Sequence, residues 1–217
     1  MTGHPTFDAP ARAARWHAGV AWAAALTVLA LALGGCATGK DAVVTGATFS
    51  FVAPGGQTVI TYDPPASRGT VNGLSGDNLL QPGHPITLND FPGQVVVLNI
   101  WGSWCGPCWA ETPDLEQTYQ ATKAAGVTLL GIDVRDDRDA AADFVRNHGV
   151  TYPSIFDPPG RALFALHGFP RNTVPATIVL DRDHRVAAIF LTRIRISQLL
   201  PVVRRIAAEP ANPGPPP

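Results

Sequence analysis

Charge and cysteine are both scarce in this chain. Of its 217 residues only 15% are charged, and the formal net charge is −1. That leaves no basic field of the kind that draws nucleic acid, and no strongly charged face for an oppositely charged partner. Three cysteines, at positions 36, 105 and 108, are too few for a fold stapled together by disulfides. There is no second Cys-x-x-Cys, and His84, His148, His167 and His184 are scattered without an i, i+4 pair. A four-ligand zinc site of the usual spacing therefore has nothing to draw on, and no metal or cofactor is expected. No internal repeat is present. What the chain does have is 46% hydrophobic residues, enough for the core of one ordinary domain with extensions.

One long uncharged apolar run stands near the N-terminus: residues 18–33, AGVAWAAALTVLALAL, preceded by Arg12 and Arg15. It falls short of the roughly 20 residues a helix needs to cross a bilayer. A positive segment, an apolar segment and small residues beyond it are the parts of an export signal. Leu33-Gly34-Gly35-Cys36 resembles the bacterial lipobox, whose cysteine is lipidated and becomes the mature N-terminus. The expectation is a signal peptide over 1–35, a lipid on Cys36 anchoring the protein to the extracytoplasmic face of the cell membrane, and a tether over 36–46. An uncleaved anchor and a soluble exported form are the alternatives. Each puts the rest of the chain outside the cytoplasm, where disulfides persist.

Two β-rich runs, TFSFVA and TVITY, flank Pro54-Gly55-Gly56-Gln57 and read as a hairpin over 47–62. With the turn-rich residues that follow, it forms an extension over 47–72. The irregular run continues to residue 85, with a short strand near Leu74, and another short strand follows at Ile86 to Leu88. From residue 95 the rhythm is α/β. Strands are expected at 95–101, 127–133, 176–180 and 186–191, the last two joined as an antiparallel hairpin. Helices are expected at 106–125, kinked by Pro113, at 139–147, briefly at 160–167, and at 198–208, where Pro201 must fall in the first turn. The order β-α-β-α-β-β-α over 73–208 implies a mixed sheet with helices on both faces. The Pro-rich tail, 209–217, cannot pack.

The chemistry concentrates in IWGSWCGPCW. A metal site lacks further ligands. A purely structural disulfide would close a loop of four residues and restrain little. A redox pair accounts for the neighbours. If a helix begins near Gly106, Cys105 stands at its N-terminus, where unpaired N–H groups and the helix dipole favour a thiolate. Pro107 in the first turn costs no hydrogen bond. Cys108, about a turn further in, is expected to be the more buried. Cys105 would then be the exposed attacking thiol and Cys108 the shielded resolving one.

Trp104-Cys105-Gly106-Pro107-Cys108 is identical to the thioredoxin active-site motif. Pro113 matches the proline that bends the active-site helix in thioredoxins, and Val174-Pro175 before ATIVL matches the proline that is cis and faces the disulfide. More narrowly, VVVLNIWGSWCGPCWAETPDL resembles the TlpA/ResA group of membrane-tethered, extracytoplasmic thioredoxin-like proteins. Asn99 stands where thioredoxins keep a buried Asp, and Glu111-Thr112-Pro113 supplies the E-x-P of that group.

The resemblance covers about residues 73–208 and implies a thioredoxin-like fold, thiol-disulfide oxidoreductase activity through Cys105 and Cys108, and substrate contacts from Trp104, Val174 and Pro175. It also implies that Glu111, a neighbour of Cys108 on one helix face, is buried with a raised pKa and passes protons to the resolving thiol; the alternative is a solvated first-turn charge. The group mostly reduces disulfides, often in apocytochrome c or its maturation partners. A reductase of exported disulfide-bearing proteins is therefore expected, fed by a membrane-embedded thiol donor because the chain has no second redox pair. A disulfide-forming oxidase is the alternative. A thiol peroxidase of the peroxiredoxin class is disfavoured by Gly102, where Thr or Ser usually stands. Trp101 is expected to pack, and Asp133 and Arg135, at a strand end, read as a solvated turn, with the lining of a groove as the alternative.

Overall fold

A computed structural model of the chain describes residues 48–210. The signal segment, Cys36, the tether and the tail from residue 211 lie outside the described residues. In chain order the elements are β1 (Val59–Thr61), β2 (Ser75–Asn78), β3 (Ile86–Thr87), β4 (Val95–Trp101), α1 (Gly106–Thr122), β5 (Val127–Asp133), α2 (Arg138–Asn147), β6 (Ser154–Phe156), β7 (Ala176–Leu180), β8 (Val186–Phe190) and α3 (Ile196–Ala207). The strands form one mixed sheet in the order β1-β8-β7-β4-β5-β6-β2-β3.

The centre of the sheet is β4, parallel to β5 and antiparallel to β7. Every residue of β4 and β5 is buried, as their near-continuous apolar runs require of strands covered on both faces. Successive parallel crossovers of one hand carry α1 and α2 to the same side. On that side Val95, Val97, Val127 and Leu129 pack against Leu115 of α1 and Leu199, Val203 and Ile206 of α3. On the other side Val96, Leu98, Ile100, Leu130 and Ile132 meet Phe49, Val71, Leu163 and Leu166. The short helix expected at 160–167 is a 3₁₀ turn at Ala162–Ala165 on this second side. Among the described residues no helix is long and apolar enough to cross a membrane.

Three local expectations differ from what forms. The runs expected to pair as a hairpin over 47–62 find other partners. Phe49 N–H donates to Thr70 C=O and Phe51 N–H to His167 C=O, while β1 pairs antiparallel with β8. The turn between them stands, with Gly55 and Gly56 at φ 58° and 72°, and Phe49 meets Tyr62 edge to face at 6.0 Å. The physical reason is the edge of β8: without β1 its outer backbone groups would be unpaired. The strand β6 was not expected. It is three residues long and pairs with the four-residue, polar β2. Finally, α3 begins at Ile196, so Pro201 lies beyond the first turn, on an exposed position.

The extension joins the same core through Phe49, Ile60 and Val71 and is locked by Arg68, whose side chain is fully buried. Its Nε donates to Tyr62 C=O (3.0 Å), and its Nη atoms reach Asp181 (3.1 Å), Asp63 (3.0 Å) and Glu209 (2.9 Å).

Candidate active site

Strand β4 ends at Trp101, and the chain turns through Gly102, Ser103 and Trp104 into α1. The turn is held from the neighbouring β5–α2 loop. The Asp136 carboxylate accepts from Ser103 N–H and from Ser103 Oγ (2.8 Å), and Trp104 Nε1 donates to Val134 C=O (3.1 Å). From the helix side, Trp109 Nε1 donates to Ser103 C=O (2.7 Å). Gly102 has no room for a side chain, because a Cβ there would run into the Trp104 indole.

Cys105 is the N-cap of α1, its Sγ accepting from Cys108 N–H at 3.2 Å, with Pro107 in the first turn. Cys105 and Cys108 are joined by a disulfide. The expected contrast in exposure is absent from this oxidised form: Cys105 is 3% exposed and Cys108 1%. Both sulfurs share a cluster with Leu79, Trp101 and Phe144, against which Val174 also packs. The asymmetry that remains is one of position, Cys105 at the helix end and Cys108 inside the first turn. Beside the pair, Trp104 and Trp109 are about half exposed. Trp101 is buried against Phe144, with ring centroids 4.9 Å apart. Pro175 is buried and its peptide bond to Val174 is cis. Among the described residues neither backbone group of Val174 takes part in a hydrogen bond.

Glu111 is completely buried, inside the second turn of α1. Its Oε1 accepts from Asn99 Nδ2 of β4 (2.8 Å) and its Oε2 from Ile194 N–H (3.0 Å), in the loop before α3. Asn99 Nδ2 also reaches Thr177 Oγ1 of β7 at 3.3 Å. Burial pushes the Glu111 carboxyl up to about 7, against the pull of those two donors.

Two site features were not legible in the sequence. Trp109 flanks the disulfide as Trp104 does. Asp133, read as part of a solvated turn, is wholly buried at the end of β5, opposite Trp101. Neither of its carboxylate oxygens has a hydrogen-bond partner among the described residues, nor do the nearby Trp101 Nε1 and Ser154 Oγ, which both border the space above Gly131. Burial, reinforced by repulsion from Asp136, pushes the Asp133 carboxyl up to about 9. Among the described residues no group of His, Cys, Asp and Glu could hold a metal ion.

The AhpC/TSA family model matches residues 74–189, which takes in β2 to β8 and both cysteines. The chain belongs to the AhpC/TSA family. Its sheet and cysteine helix give it the thioredoxin-like fold that the motif resemblance implies. Among solved structures it is similar to a secreted thiol-disulfide isomerase from Corynebacterium glutamicum, with 45% identity and a TM-score of 0.73 over 76% of this chain and 100% of that one. A DsbF homologue from Corynebacterium diphtheriae is 42% identical, with a TM-score of 0.69 over 73% of this chain and 99% of that one. The thiol-disulfide oxidoreductase ResA of Geobacillus kaustophilus is 33% identical over 108 residues, half of this chain and 60% of the relative's length. The chain thus spans less than two thirds of that relative's length.

Proposed function

We propose that this protein is an extracytoplasmic thiol-disulfide oxidoreductase that reduces disulfides in exported proteins. The observation that carries the reading is the Cys105–Cys108 disulfide at the N-terminus of α1; three residues past Cys108 on the same helix, the buried Glu111 carboxyl has a pKa of about 7 that suits proton exchange. The names of the similar proteins, thiol-disulfide isomerase and ResA, support the same class of reaction. In the reduced protein the Cys105 thiolate attacks one sulfur of a substrate disulfide. That bond breaks, a mixed disulfide forms, and the first substrate thiolate leaves and takes up a proton. Cys108 then gives its proton toward Glu111 and attacks Cys105 Sγ, expelling the second substrate thiolate. Two electrons pass to the substrate, and the protein is left with the disulfide seen here. Trp104 and the free backbone groups of Val174 supply the surface on which the substrate lies. Glu111 does not touch the substrate; it acts through Cys108.

Restoring the dithiol needs an outside reductant, for which we assign a membrane-embedded thiol donor. Anchoring through a lipid on Cys36 keeps the domain near that donor. Apocytochrome c is one substrate class consistent with the resemblance. Two measurements test this reading. Cys108→Ser should trap mixed disulfides with exported proteins through Cys105, and Cys105→Ser should trap almost none; equal trapping contradicts the assigned roles. A reduction potential near the −270 mV of thioredoxin supports reduction, and one near −120 mV supports disulfide formation instead. The anchor is tested by fractionation: Cys36→Ala should move the protein from membranes to the soluble fraction. Peroxidase chemistry is disfavoured because the Trp104 indole occupies the space a Thr or Ser at 102 would need.

A further inference from the structure

Beside Trp104 lies an open groove of about 330 Å³, lined by Val134, Arg135, Pro159, Gly160, Arg171 and Asn172. It is bounded by the loop that grips the active-site turn and by the segment leading to Val174 and Pro175. Arg135 is exposed and held in the left-handed region, φ 55°, with its N–H donating to Pro158 C=O at 3.0 Å. Its guanidinium carbon lies 4.8 Å from the centre of the Trp104 ring. Arg171, also exposed, stacks in the same way on Phe164 at 4.4 Å.

Each guanidinium carbon lies over an aromatic ring, and a guanidinium that packs by its face in this way keeps its in-plane N–H donors open to a planar anion. Among the described residues neither arginine makes an ion pair or a side-chain hydrogen bond. The carboxylates on the flanking loops are committed elsewhere. Asp136 holds Ser103, Asp137 caps α2, and Asp157 accepts from the N–H groups of Arg161 (2.8 Å) and Ala162 (2.7 Å).

We propose that this groove recognises an acidic side chain, Asp or Glu, close in sequence to the target cysteine of a disulfide-bearing polypeptide, with Arg135 and Arg171 as the residues that set the preference. The proposal rests on the oxidoreductase reading and adds the substrate class. A polypeptide fits better than a small free anion for two reasons. The groove is open and is linked to Trp104 through Arg135, which lines it and lies over the indole, and the unpaired backbone of Val174 can take an extended strand alongside. A substrate strand paired there can set a neighbouring carboxylate between the two arginines, while Val134 and Pro159 receive its methylene groups.

The test uses two peptides of equal length around one cystine, with Glu or with Gln flanking the cysteine. Binding of their Cys→Ser forms to the oxidised protein is measured by calorimetry, and turnover of the cystine forms by the reduced protein is measured separately. The Glu peptide should bind roughly three- to tenfold more tightly at low salt, the size of two exposed ion pairs. That preference should collapse in 0.5 M salt, at roughly half the Debye length of physiological buffer, and in the double variant Arg135→Gln, Arg171→Gln. The ratio of kcat/KM for the two peptides should follow the same pattern. Equal binding of both peptides, or a preference that survives the double variant, overturns the groove assignment. So does inorganic phosphate or glutathione disulfide competing as strongly as the Glu peptide, since the site would then take small anions. A preserved Glu preference in binding with no turnover of either peptide would sink the oxidoreductase reading and leave the groove standing.

Discussion

Both oxygens of Glu111 face donors, the Asn99 amide and the Ile194 N–H. Glu111→Gln keeps the shape but brings an amide NH₂ to a place where two donors already point. Asn99 must then turn its own amide to present Oδ1, so that its Nδ2 gives up both acceptors it has now, Glu111 Oε1 and Thr177 Oγ1. The expected cost is about 1 kcal/mol, the worth of one hydrogen bond. Its pH dependence has a defined sign. The folded pKa of about 7 lies above the ordinary 4.5, so Glu111 contributes most below pH 4.5 and loses that contribution as pH rises through 7. The stability deficit of the Gln variant should therefore be largest near pH 4 to 5, fall as pH rises from about 5 to 7, and level off above that, as read by urea unfolding. Disulfide exchange should slow by up to about 10²-fold, the lower end for general acid–base catalysis, and its pH profile between 5 and 8 should flatten. A wild-type rate and profile in the variant would reduce Glu111 to a structural carboxyl. Asp133 follows the same linkage over a wider window. Raised from 3.8 to about 9, it stabilises the fold at low pH and loses that contribution as pH climbs to 9. Asp133→Asn removes the titration, so its Tm relative to wild type should rise steadily between pH 5 and 9. A constant difference across that range would mean that Asp133 does not carry the burial penalty.

At the scale of elements, what was legible followed the strength of the local pattern. The runs VVVLNIW and VTLLGID are wholly apolar or β-branched for most of their length and became β4 and β5 within the expected bounds. The start of α1 was marked by Cys105 and Pro107, and the helix begins there. The short strands were harder. A short strand was readable near Leu74, but the polar Ser75-Gly76-Asp77-Asn78 that forms β2 does not itself favour one, and Ser154–Phe156 offers only three residues; each becomes β structure because neighbouring strands present partners. The hairpin reading failed for the same reason in reverse, since the edge of β8 is a better partner for β1 than its sequence neighbour. Burial of Asp133 was invisible because its position at a strand end, followed by Arg135 and Asp136, has the composition of a solvated turn. Its burial comes from tertiary structure: Asp133 pairs in register with the buried Trp101 of β4, a pairing the local sequence does not reveal. Cys105 was misjudged likewise: the helix-end position was readable, but not the surrounding cluster that covers it.

At the scale of the whole molecule, Arg68 joins three regions distant in sequence. Asp63 belongs to the segment after β1, Asp181 to the turn between β7 and β8, and Glu209 to the chain just past α3. Arg205 on α3 extends the network to Asp63 at 3.2 Å and Glu209 at 3.4 Å. None of these groups bonds to the cysteine helix, so the network bears on stability rather than on exchange chemistry. Removing the guanidinium leaves the Asp181 carboxylate, 10% exposed, without a counter-charge and the Tyr62 carbonyl without its donor. Breaking a buried cluster in this way costs about 3–5 kcal/mol, which for a domain of this size lowers Tm by roughly 10 °C. Arg68→Lys should recover only part of that loss, because one ammonium cannot span three carboxylates and a carbonyl. The ordering to measure is wild type above Lys above Ala in Tm, with the potential of the Cys105–Cys108 pair unchanged in all three. Because the side chain is fully buried, the gaps should persist in 1 M salt, where exposed pairs are screened. If the alanine variant instead melts with wild type, the extension and the α3 end are held by their apolar contacts, Phe49, Ile60 and Ile206 among them, and the ion cluster contributes nothing net.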